Sequence, residues 1–386
     1  MSTETAPASS YSNKNPFPAR RKANIKLTGD ASEKDTRHHE ISLAGSGLNY
    51  IAGDALGLVV TNCPALADEL VATLGANGSE PVPGRDGTPK PLRDALFSDY
   101  AITFADKKFI EACIAKGAGE LAPLLTPEKA DDLKKYLTGK NECHDYVDVL
   151  REFSQVRFAP DEFVKLLRKL PPRLYSIASS LNAHPEEVHL TVATVKYKIR
   201  DRARKGVAST FLADRWEGDT TAGVFIQSQQ KHFFLPPDKS KPIIMVGPGT
   251  GVAPFRAFAE ERQISGATGK NWLFFGEQRA AQDFFYREQF AKWVNDGFLR
   301  LDTAFSRDQE EKIYVQHRME ERGADIWAWL QEGADFFVCG DKNKMAADVD
   351  AALHKIAEVH GGKTPEQAKE YIEALKKEKR YKRDVY

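Results

Sequence analysis

The sequence predicts a two-domain protein in which an antiparallel β-barrel with a helical insertion precedes an α/β domain built on a doubly wound parallel sheet. Two patterns predict this fold. Strand-like runs flank a long helical block before residue 235, whereas short apolar strands and helices alternate from residue 241 onward. The length of 386 residues also exceeds what a single hydrophobic core usually supports.

Composition excludes several classes of protein. Lys plus Arg and Asp plus Glu both number 55, so no excess of charge favours nucleic acid or a membrane surface as a partner. No apolar run approaches the length of about 20 residues that a membrane helix needs, and no apolar segment typical of a secretory signal is present. The dispersed cysteines form no CxxC pair, which excludes a disulfide framework or a Cys-rich metal centre and favours the cytoplasm. They are Cys63, Cys113, Cys143 and Cys339.

The first domain is expected to follow a short arm. Residues 1–21 are polar and rich in Ser and Pro, which predicts a disordered arm before a barrel domain at 22–235. Barrel strands are predicted at 37–43, 58–60, 174–177, 188–197 and 224–226. Amphipathic spacing predicts the helical insertion at about 64–170, with helices at 64–74, 107–118, 127–137, 145–153 and 160–170.

The second domain is expected at 240–386, after a Pro-rich hinge at 236–240. Its strands are predicted at 243–246, 272–275, 299–304 and 336–338. Its helices are predicted at 254–263, 284–296, 315–323 and 345–360. This β-α-β-α order predicts a parallel sheet with ligand at its carboxyl edge.

A glycine-rich segment at 247–254 lies between a predicted strand and a predicted helix. Its glycines allow the backbone to turn tightly and approach a pyrophosphate, whose charge is favoured at a helix N-terminus. Val252 stands where the ordinary dinucleotide fingerprint has its last glycine, and the absence of Gly-Lys-Ser/Thr excludes a P-loop ATPase. A purely structural turn is the alternative for the motif taken alone, but its position between strand and helix favours nucleotide binding.

Three segments in the same order resemble signatures of the ferredoxin–NADP⁺ reductase superfamily: Arg-Leu-Tyr-Ser at 173–176, the loop at 247–256, and Cys-Gly-Asp at 339–341. Segments 269–276, 306–309 and 380–386 resemble the diflavin reductases that serve sulfite reduction. The resemblance implies a barrel domain that binds FAD and an α/β domain that binds NADPH. Diflavin reductases carry an FMN-binding flavodoxin domain where this sequence has only its polar arm, so no FMN domain is expected in this chain.

The resemblance implies specific FAD contacts. Arg173 would pair with the pyrophosphate, Tyr175 would stack on the isoalloxazine ring, and Ser176 would approach flavin N5. A second phosphate-binding turn is implied at 206–209, with the next helix beginning at Phe211. Without Arg173 and Ser176, Tyr175 would be an ordinary half-buried strand aromatic. The full implied FAD set is Thr103, Arg173, Leu174, Tyr175, Ser176, Thr191, Val192, Ala193, Tyr197, Gly206, Val207, Ala208, Ser209 and Tyr386.

The resemblance also implies an NADPH site and a path for hydride. Two cations, a hydroxyl and a phenol near Ser306 suit the 2′-phosphate dianion, which favours NADPH over NADH. The implied NADPH set is Gly249, Thr250, Gly251, Pro254, Ser306, Arg307, Lys312, Tyr314, Gln316, Cys339 and Asp348. The implied catalytic set is Ser176, Cys339, Asp384 and Tyr386, with the Tyr386 ring covering the flavin face. The alternative for Tyr386 is a frayed polar tail.

The resemblance implies an NADPH-dependent flavin oxidoreductase that passes electrons to a redox partner. Assimilatory sulfite reduction, which feeds cysteine biosynthesis, is the favoured setting. The expected acceptor is a sulfite reductase haemoprotein, a ferredoxin or a separate flavodoxin. A general NADPH–ferredoxin/flavodoxin reductase is an alternative enzyme, and a non-catalytic FAD-binding docking subunit is an alternative of another class. No metal site, nucleic acid or membrane partner is expected.

Overall fold

The structure is a computed structural model that describes residues 10–139, 142–229 and 232–386. It divides into two compact units. The first unit contains the chain up to Leu58, Leu174–Thr194 and Glu217–Tyr386. The second unit contains Val59–Arg173 and Val195–Trp216, so it consists of two insertions into the first.

The secondary structure of the described residues alternates between strand-rich and helix-rich stretches. The strands are β1 (Phe17–Lys26), β2 (Thr36–Ser42), β3 (Ala55–Leu58), β4 (Pro81–Pro83), β5 (Pro89–Pro91), β6 (Arg173–Ser176), β7 (Glu187–Ala193), β8 (Lys196–Ile199), β9 (Arg202–Lys205), β10 (Thr221–Gln227), β11 (Ile243–Val246), β12 (Asn271–Glu277), β13 (Arg300–Phe305), β14 (Asp335–Gly340) and β15 (Tyr381–Val385). The α-helices are α1 (Pro64–Thr73), α2 (Leu92–Ser98), α3 (Lys107–Ala115), α4 (Ala130–Thr138), α5 (Tyr146–Glu152), α6 (Pro160–Leu166), α7 (Val207–Thr210), α8 (Ala253–Ile264), α9 (Ala280–Asp283), α10 (Arg287–Asn295), α11 (Val315–Glu321), α12 (Gly323–Gln331), α13 (Met345–Val359) and α14 (Pro365–Lys377). Short 3₁₀ helices cover Gly119–Leu125, Pro127–Lys129 and Gly249–Val252, and a π-helical turn covers Phe211–Arg215.

Six strands form the predicted antiparallel barrel. Their order is β6-β3-β10-β1-β2-β7. Just beyond β6, Ile177 bridges Leu190 of β7, and the Ala178 N–H donates to the His189 carbonyl oxygen at 2.8 Å. These bonds join the two edge strands, so the sheet closes and has few free edges.

The predicted disordered arm at 1–21 is too long, because part of it is a strand. Strand β1 begins at Phe17, and the segment from Phe17 to Arg20 pairs antiparallel with β10. Ala19 is buried, whereas the arginine that follows it is exposed. Alternate residues of a strand point to opposite faces, so Arg20 marks the solvent face of a strand and not a disordered segment. Residues 1–9 of the predicted arm lie outside the described residues.

The second unit confirms the helical insertion. Helices α1 to α6 surround an apolar core that includes Leu70, Phe109 and Phe163. The predicted helix at 127–137 begins as a 3₁₀ turn, and the one predicted at 160–170 ends at Leu166. The predicted strand at 188–197 is two strands, because β7 ends at Ala193 and the β8–β9 hairpin starts at Lys196.

The C-terminal half confirms the parallel sheet. Its order is β13-β12-β11-β14-β15, and each neighbouring pair is parallel. The strand order reverses beside β11, which pairs with both β12 and β14. Ligands of open α/β sheets bind at such a switch point, outside the carboxyl ends of the strands.

Helices cover both faces of this sheet, which makes it doubly wound. Alternate strand residues enter two separate cores, so the strands are apolar throughout their length. One core contains Ile244, Val246, Trp272, Phe274, Phe336 and Val338, together with residues of α11 to α14. The other contains Ile243, Met245, Leu273, Phe275, Phe337 and Cys339, together with residues of α8 and α10.

Four elements of this half were not predicted: the helices α9, α12 and α14 and the strand β15. The pattern of β15 is unusual because its second residue, Lys382, is a charged residue that is buried. Its Nζ atom lies 2.7 Å from Oδ2 of buried Asp335. Burial lowers the pKa of Lys382, and the carboxylate opposes that shift. Among the helices of the described residues, none is both long and apolar enough to cross a membrane.

Candidate active site

The glycine-rich loop lies between β11 and α8, as predicted. Gly249 has a φ of 59°, in the left-handed region that favours glycine. A Cβ atom on Gly251 would lie 2.1 Å from the Cys339 carbonyl oxygen, so only glycine lets this loop lie against the end of β14. Pro254 occupies the first turn of α8, where no intrahelical N–H bond is lost. The loop and helix start therefore fit a pyrophosphate.

Three of the predicted catalytic residues are in contact. The parallel register places Asp384 of β15 beside Cys339 of β14. The Ser176 hydroxyl donates to Oδ2 of Asp384 at 2.6 Å, and the Cys339 Sγ atom lies 3.9 Å from the same oxygen. Complete burial raises the pKa of the Cys339 thiol well above its ordinary value, and the Asp384 charge adds to the increase. The thiol therefore stays protonated at neutral pH, and two donors face one carboxylate oxygen.

Tyr386 is held by its backbone while its ring is exposed. Its N–H donates to the Gly340 carbonyl oxygen at 3.1 Å, and its own carbonyl accepts from Lys342 N–H at 3.1 Å. The side chain is 58% exposed, and its hydroxyl lies 3.2 Å from Oγ1 of Thr250 in the glycine-rich loop. The alternative of a frayed tail is wrong for this residue. Its exposed ring lies at the carboxyl edge, beside the end of β14.

The predicted 2′-phosphate residues follow β13. The Ser306 and Arg307 N–H groups donate to the carbonyl oxygens of Glu277 and Gln278, at 2.9 and 2.8 Å. Arg307 is 37% exposed at its side chain. Lys312 is exposed and has no ion-pair partner among the residues that the structure describes. Solvent-accessible cations of this kind suit a phosphate dianion.

The remaining NADPH residues lie near the start of α11 and on α13. Tyr314 precedes α11 and is 38% exposed. Gln316 and Asp348 are brought together, with Gln316 Nε2 at 3.3 Å from Asp348 Oδ2. Their roles toward a nucleotide remain predictions.

The predicted FAD residues of the first unit differ in exposure. Leu174 is 44% exposed and Tyr175 is half-buried. Thr191 is buried, and its hydroxyl lies 2.6 Å from the Tyr286 hydroxyl. Val192 is buried and Ala193 is half-buried on the same strand. Leu174 therefore offers apolar surface, whereas the Thr191 side chain already has a protein partner.

The predicted FAD residues of the second unit include one local correction. Helix α7 begins at Val207 and not at Phe211, so Ala208 and Ser209 are helical and only Gly206 precedes the helix. The Gly206 N–H donates to the Val195 carbonyl oxygen at 2.8 Å, and Ser209 Oγ accepts from Val195 N–H at 3.0 Å. The Ser209 hydroxyl therefore binds the backbone of Val195 and helps to hold the start of α7 against it. In the same unit Tyr197 is 39% exposed, Arg173 is exposed and Thr103 is half-buried.

A buried polar cluster holds the chain next to Ser176 in place. The sequence did not predict this cluster. Arg256 of α8 is 7% exposed, and its Nη1 donates to the Ala178 carbonyl oxygen at 2.6 Å. Its Nη2 lies 2.7 Å from Oε1 of Glu260. The guanidinium therefore ties the chain just after Ser176 to α8. The only sequence signal was Arg256's place inside the glycine-rich motif.

Two histidines share this cluster. Burial, followed by the Arg256 charge, lowers the pKa of His38 to about 2. Burial also lowers the pKa of His189 to about 4. The ligand atoms of His38, Glu40 and His189 lie within 4.8 Å of one another. However, an N–H group of Arg256 faces Nδ1 of His189 at 3.4 Å, and a guanidinium disfavours a neighbouring metal cation. The absence of a metal site stays a prediction.

Two further charged residues lie at the 2′-phosphate region, outside the predicted NADPH set. Glu33 lies in the loop between β1 and β2, and its Oε1 lies 2.5 Å from Nη1 of Arg307. Arg279 Nη1 lies 3.5 Å from the same carboxylate oxygen. No local sequence pattern could have identified Glu33, because its partners are far along the chain.

The barrel, the switch-point loop and the Ser176–Asp384–Cys339 contact define an oxidoreductase with sites for FAD and a nicotinamide dinucleotide. Family models agree with this class. An FAD binding domain matches residues 9–83 and 112–211, and an oxidoreductase NAD-binding domain matches residues 245–351. The chain belongs to the ferredoxin–NADP⁺ reductase superfamily.

Its relatives include long flavoproteins. The chain is 46% identical over 381 residues to the sulfite reductase (NADPH) flavoprotein alpha-component of Bacillus subtilis, which covers 98% of this chain. It is 45% identical to the proteins of the same name from Aliivibrio fischeri and Serratia proteamaculans, over 99% and 98% of this chain. The chain spans 62% of the length of each of these relatives.

Proposed function

We propose that this chain is an NADPH-dependent FAD reductase that passes electrons to a redox partner in sulfite reduction. The observation that carries the proposal is the contact of Ser176 and Cys339 with one oxygen of Asp384, beside the glycine-rich loop. In this proposal the FAD-binding domain extends to residue 235 and the NADPH-binding domain covers 240–386.

Bound FAD would supply an acceptor for the hydride of NADPH and could then release the two electrons to a partner. The chain's own residues would orient the nicotinamide. Asp384 holds the Ser176 hydroxyl and attracts the protonated Cys339 thiol, so both side chains have fixed directions. The Asp384 carboxylate would also stabilise the positive charge that develops on the nicotinamide as hydride leaves.

Tyr386 would cover the flavin face that the nicotinamide must occupy. Its ring is exposed, whereas backbone bonds to Gly340 and Lys342 hold its main chain. A ring with a fixed backbone can move aside by side-chain rotation alone. Displacement of Tyr386 would then gate hydride transfer.

The proposed acceptor follows from the relatives. The names of these relatives associate a related flavoprotein with sulfite reductase. A sulfite reductase haemoprotein, reached directly or through a ferredoxin or separate flavodoxin, is therefore the acceptor to test first. The cysteines of the chain are free, which supports the cytoplasm as the compartment.

The proposal is tested by anaerobic stopped-flow reduction of the yellow protein. We expect NADPH to bleach the flavin quickly and NADH to bleach it slowly. Arg307→Gln should raise the KM for NADPH by roughly 10- to 100-fold and leave the KM for NADH nearly unchanged, because a charged hydrogen bond to the 2′-phosphate is lost. Bound flavin that NADPH does not reduce would favour the non-catalytic docking subunit.

Adding acceptors to the reduced protein identifies the partner. Reoxidation by sulfite reductase haemoprotein at a higher rate than by ferredoxin or flavodoxin supports the sulfite assignment. Fast reoxidation by ferredoxin or flavodoxin, without electron transfer to the haemoprotein, would instead support a general NADPH–ferredoxin/flavodoxin reductase.

A further inference from the structure

The loop between β1 and β2, residues 27–35, is fixed against the region that follows β12. The Gly29 N–H donates to the Gln282 carbonyl oxygen at 2.7 Å, and the Ala31 N–H donates to Gln282 Oε1 at 3.1 Å. Lys34 Nζ lies 2.6 Å from Oε1 of Glu277. Two backbone donors and an ion pair therefore determine where the side chain between them, Glu33, can reach.

Glu33 places its carboxylate between two guanidinium groups. Its Oε1 lies 2.5 Å from Nη1 of Arg307 and 3.5 Å from Nη1 of Arg279. The hydrogen bond from Arg307, followed by the Arg307 charge, lowers the pKa of the Glu33 carboxyl, so this group is negative at neutral pH. The two arginine side chains are 37% and 38% exposed, so a ligand from solvent can also reach them.

A carboxylate and a phosphate bind arginine in the same way, through paired N–H donors. Arg307 is one of the cations assigned to the 2′-phosphate of NADPH in the proposed function. Its backbone is fixed by the bond from its N–H to Gln278, so the guanidinium has a limited range of positions. A 2′-phosphate that approaches Arg307 must therefore displace the Glu33 carboxylate or lie beside it and be repelled.

We propose that Glu33 is a built-in competitor for the 2′-phosphate of NADPH, and that Arg279 is a further cation of the 2′-phosphate site besides Arg307 and Lys312. The proposal rests on the function proposed above. Glu33 neutralises the two arginines before the dinucleotide binds and returns to them when it leaves. The competition lowers the affinity for NADP⁺ as well as for NADPH, which favours release of the oxidised product.

The test measures the Kd of 2′,5′-ADP for the FAD-loaded full chain by titration calorimetry at low ionic strength. Glu33→Gln should bind about twofold to fivefold more tightly than the wild type, the range that a solvent-exposed ion pair allows. Asp30→Asn is the matched control, because it removes the same charge from the same loop at an exposed residue that pairs with Lys26 and not with an arginine. Its Kd should equal that of the wild type.

A second ligand separates this inference from the proposed function. 5′-AMP lacks the 2′-phosphate, so its Kd should not change in Glu33→Gln. Arg279→Gln should weaken binding of 2′,5′-ADP and leave 5′-AMP unaffected. Unchanged or weaker binding of 2′,5′-ADP by Glu33→Gln overturns the competitor role, and unchanged binding by Arg279→Gln overturns the role of Arg279 as a further cation of the site. If the wild type fails to prefer 2′,5′-ADP over 5′-AMP, the NADPH assignment itself fails.

Discussion

Replacing Gly251 with alanine should strongly impair hydride transfer without unfolding the protein. The new Cβ would lie 2.1 Å from the Cys339 carbonyl oxygen and 2.7 Å from its carbonyl carbon. Ordinary contact needs well over 3 Å, so the loop and the end of β14 must separate by about 1 Å. Both neighbours are backbone atoms, which cannot move away as a flexible side chain would.

The expected magnitude follows from that displacement. A misplacement of about 1 Å in a catalytic site can cost about 100-fold in rate, equivalent to about 2.7 kcal/mol of transition-state stabilisation. Gly249→Ala is the matched control, because its new Cβ would meet no atom closer than 3.5 Å. It should cost about 1 to 2 kcal/mol of stability through its left-handed φ, but keep hydride transfer within about tenfold.

The assay is anaerobic stopped-flow bleaching by NADPH, with thermal unfolding and the flavin absorption spectrum as checks on folding. Gly251→Ala should retain its flavin spectrum and lose kcat/KM for NADPH. Reduction at the wild-type rate would refute the reasoning, and so would a larger rate loss in Gly249→Ala than in Gly251→Ala.

Three other changes have defined outcomes. Ser176→Ala and Asp384→Asn should each slow flavin reduction by roughly 10- to 100-fold. The double variant should be little slower than either single variant, because both substitutions remove the same hydrogen bond. Additive losses in the stopped-flow rates would contradict this. Burial lowers the pKa of His39 to about 3, so its contribution to stability is complete above pH 6.5, the ordinary histidine value, and is lost as the pH falls from there towards 3. The ring nitrogens of His39 have no hydrogen-bond partner among the described residues. His39→Leu should therefore flatten the dependence of the urea-unfolding free energy on pH between 7 and 5. An unchanged slope would exclude His39 as the cause of that pH dependence. Asp335→Asn leaves buried Lys382 without its counter-ion and should lower the free energy of unfolding, measured by urea titration, by about 3 to 5 kcal/mol. A loss below about 1 kcal/mol would mean that solvent reaches Lys382.

The sequence predicted the parallel sheet well because its strands are buried on both faces. Strand β11 was predicted with its observed bounds, and the glycine-rich loop after it has the expected strand-to-helix geometry. Buried apolar runs are a local signal, so no knowledge of distant residues was required. The Ser176–Asp384–Cys339 contact came instead from the resemblance to a family, since no local pattern relates positions so far apart.

The missed features depend on partners far along the chain. Strand β15 contains Lys382, which pattern reasoning assigns to the surface, and its burial depends on the carboxylate of Asp335. Strand β1 begins at Phe17 because β10, some two hundred positions later, provides its backbone bonds. Glu33 belongs to the same class of error, because only the tertiary structure shows that it faces Arg307.

The pairing of β1 with β10 has a consequence for the order of folding during synthesis. Strand β1 cannot gain this neighbour until the ribosome has released the chain through Gln227. The helices of the first insertion, by contrast, find their core partners between Ala67 and Leu167 and can fold while the barrel is still open. The long loop closures needed by the barrel are slow steps. We therefore expect nascent chains of intermediate length to contain a folded helical insertion, while β1 and β2 remain exposed and dependent on chaperones.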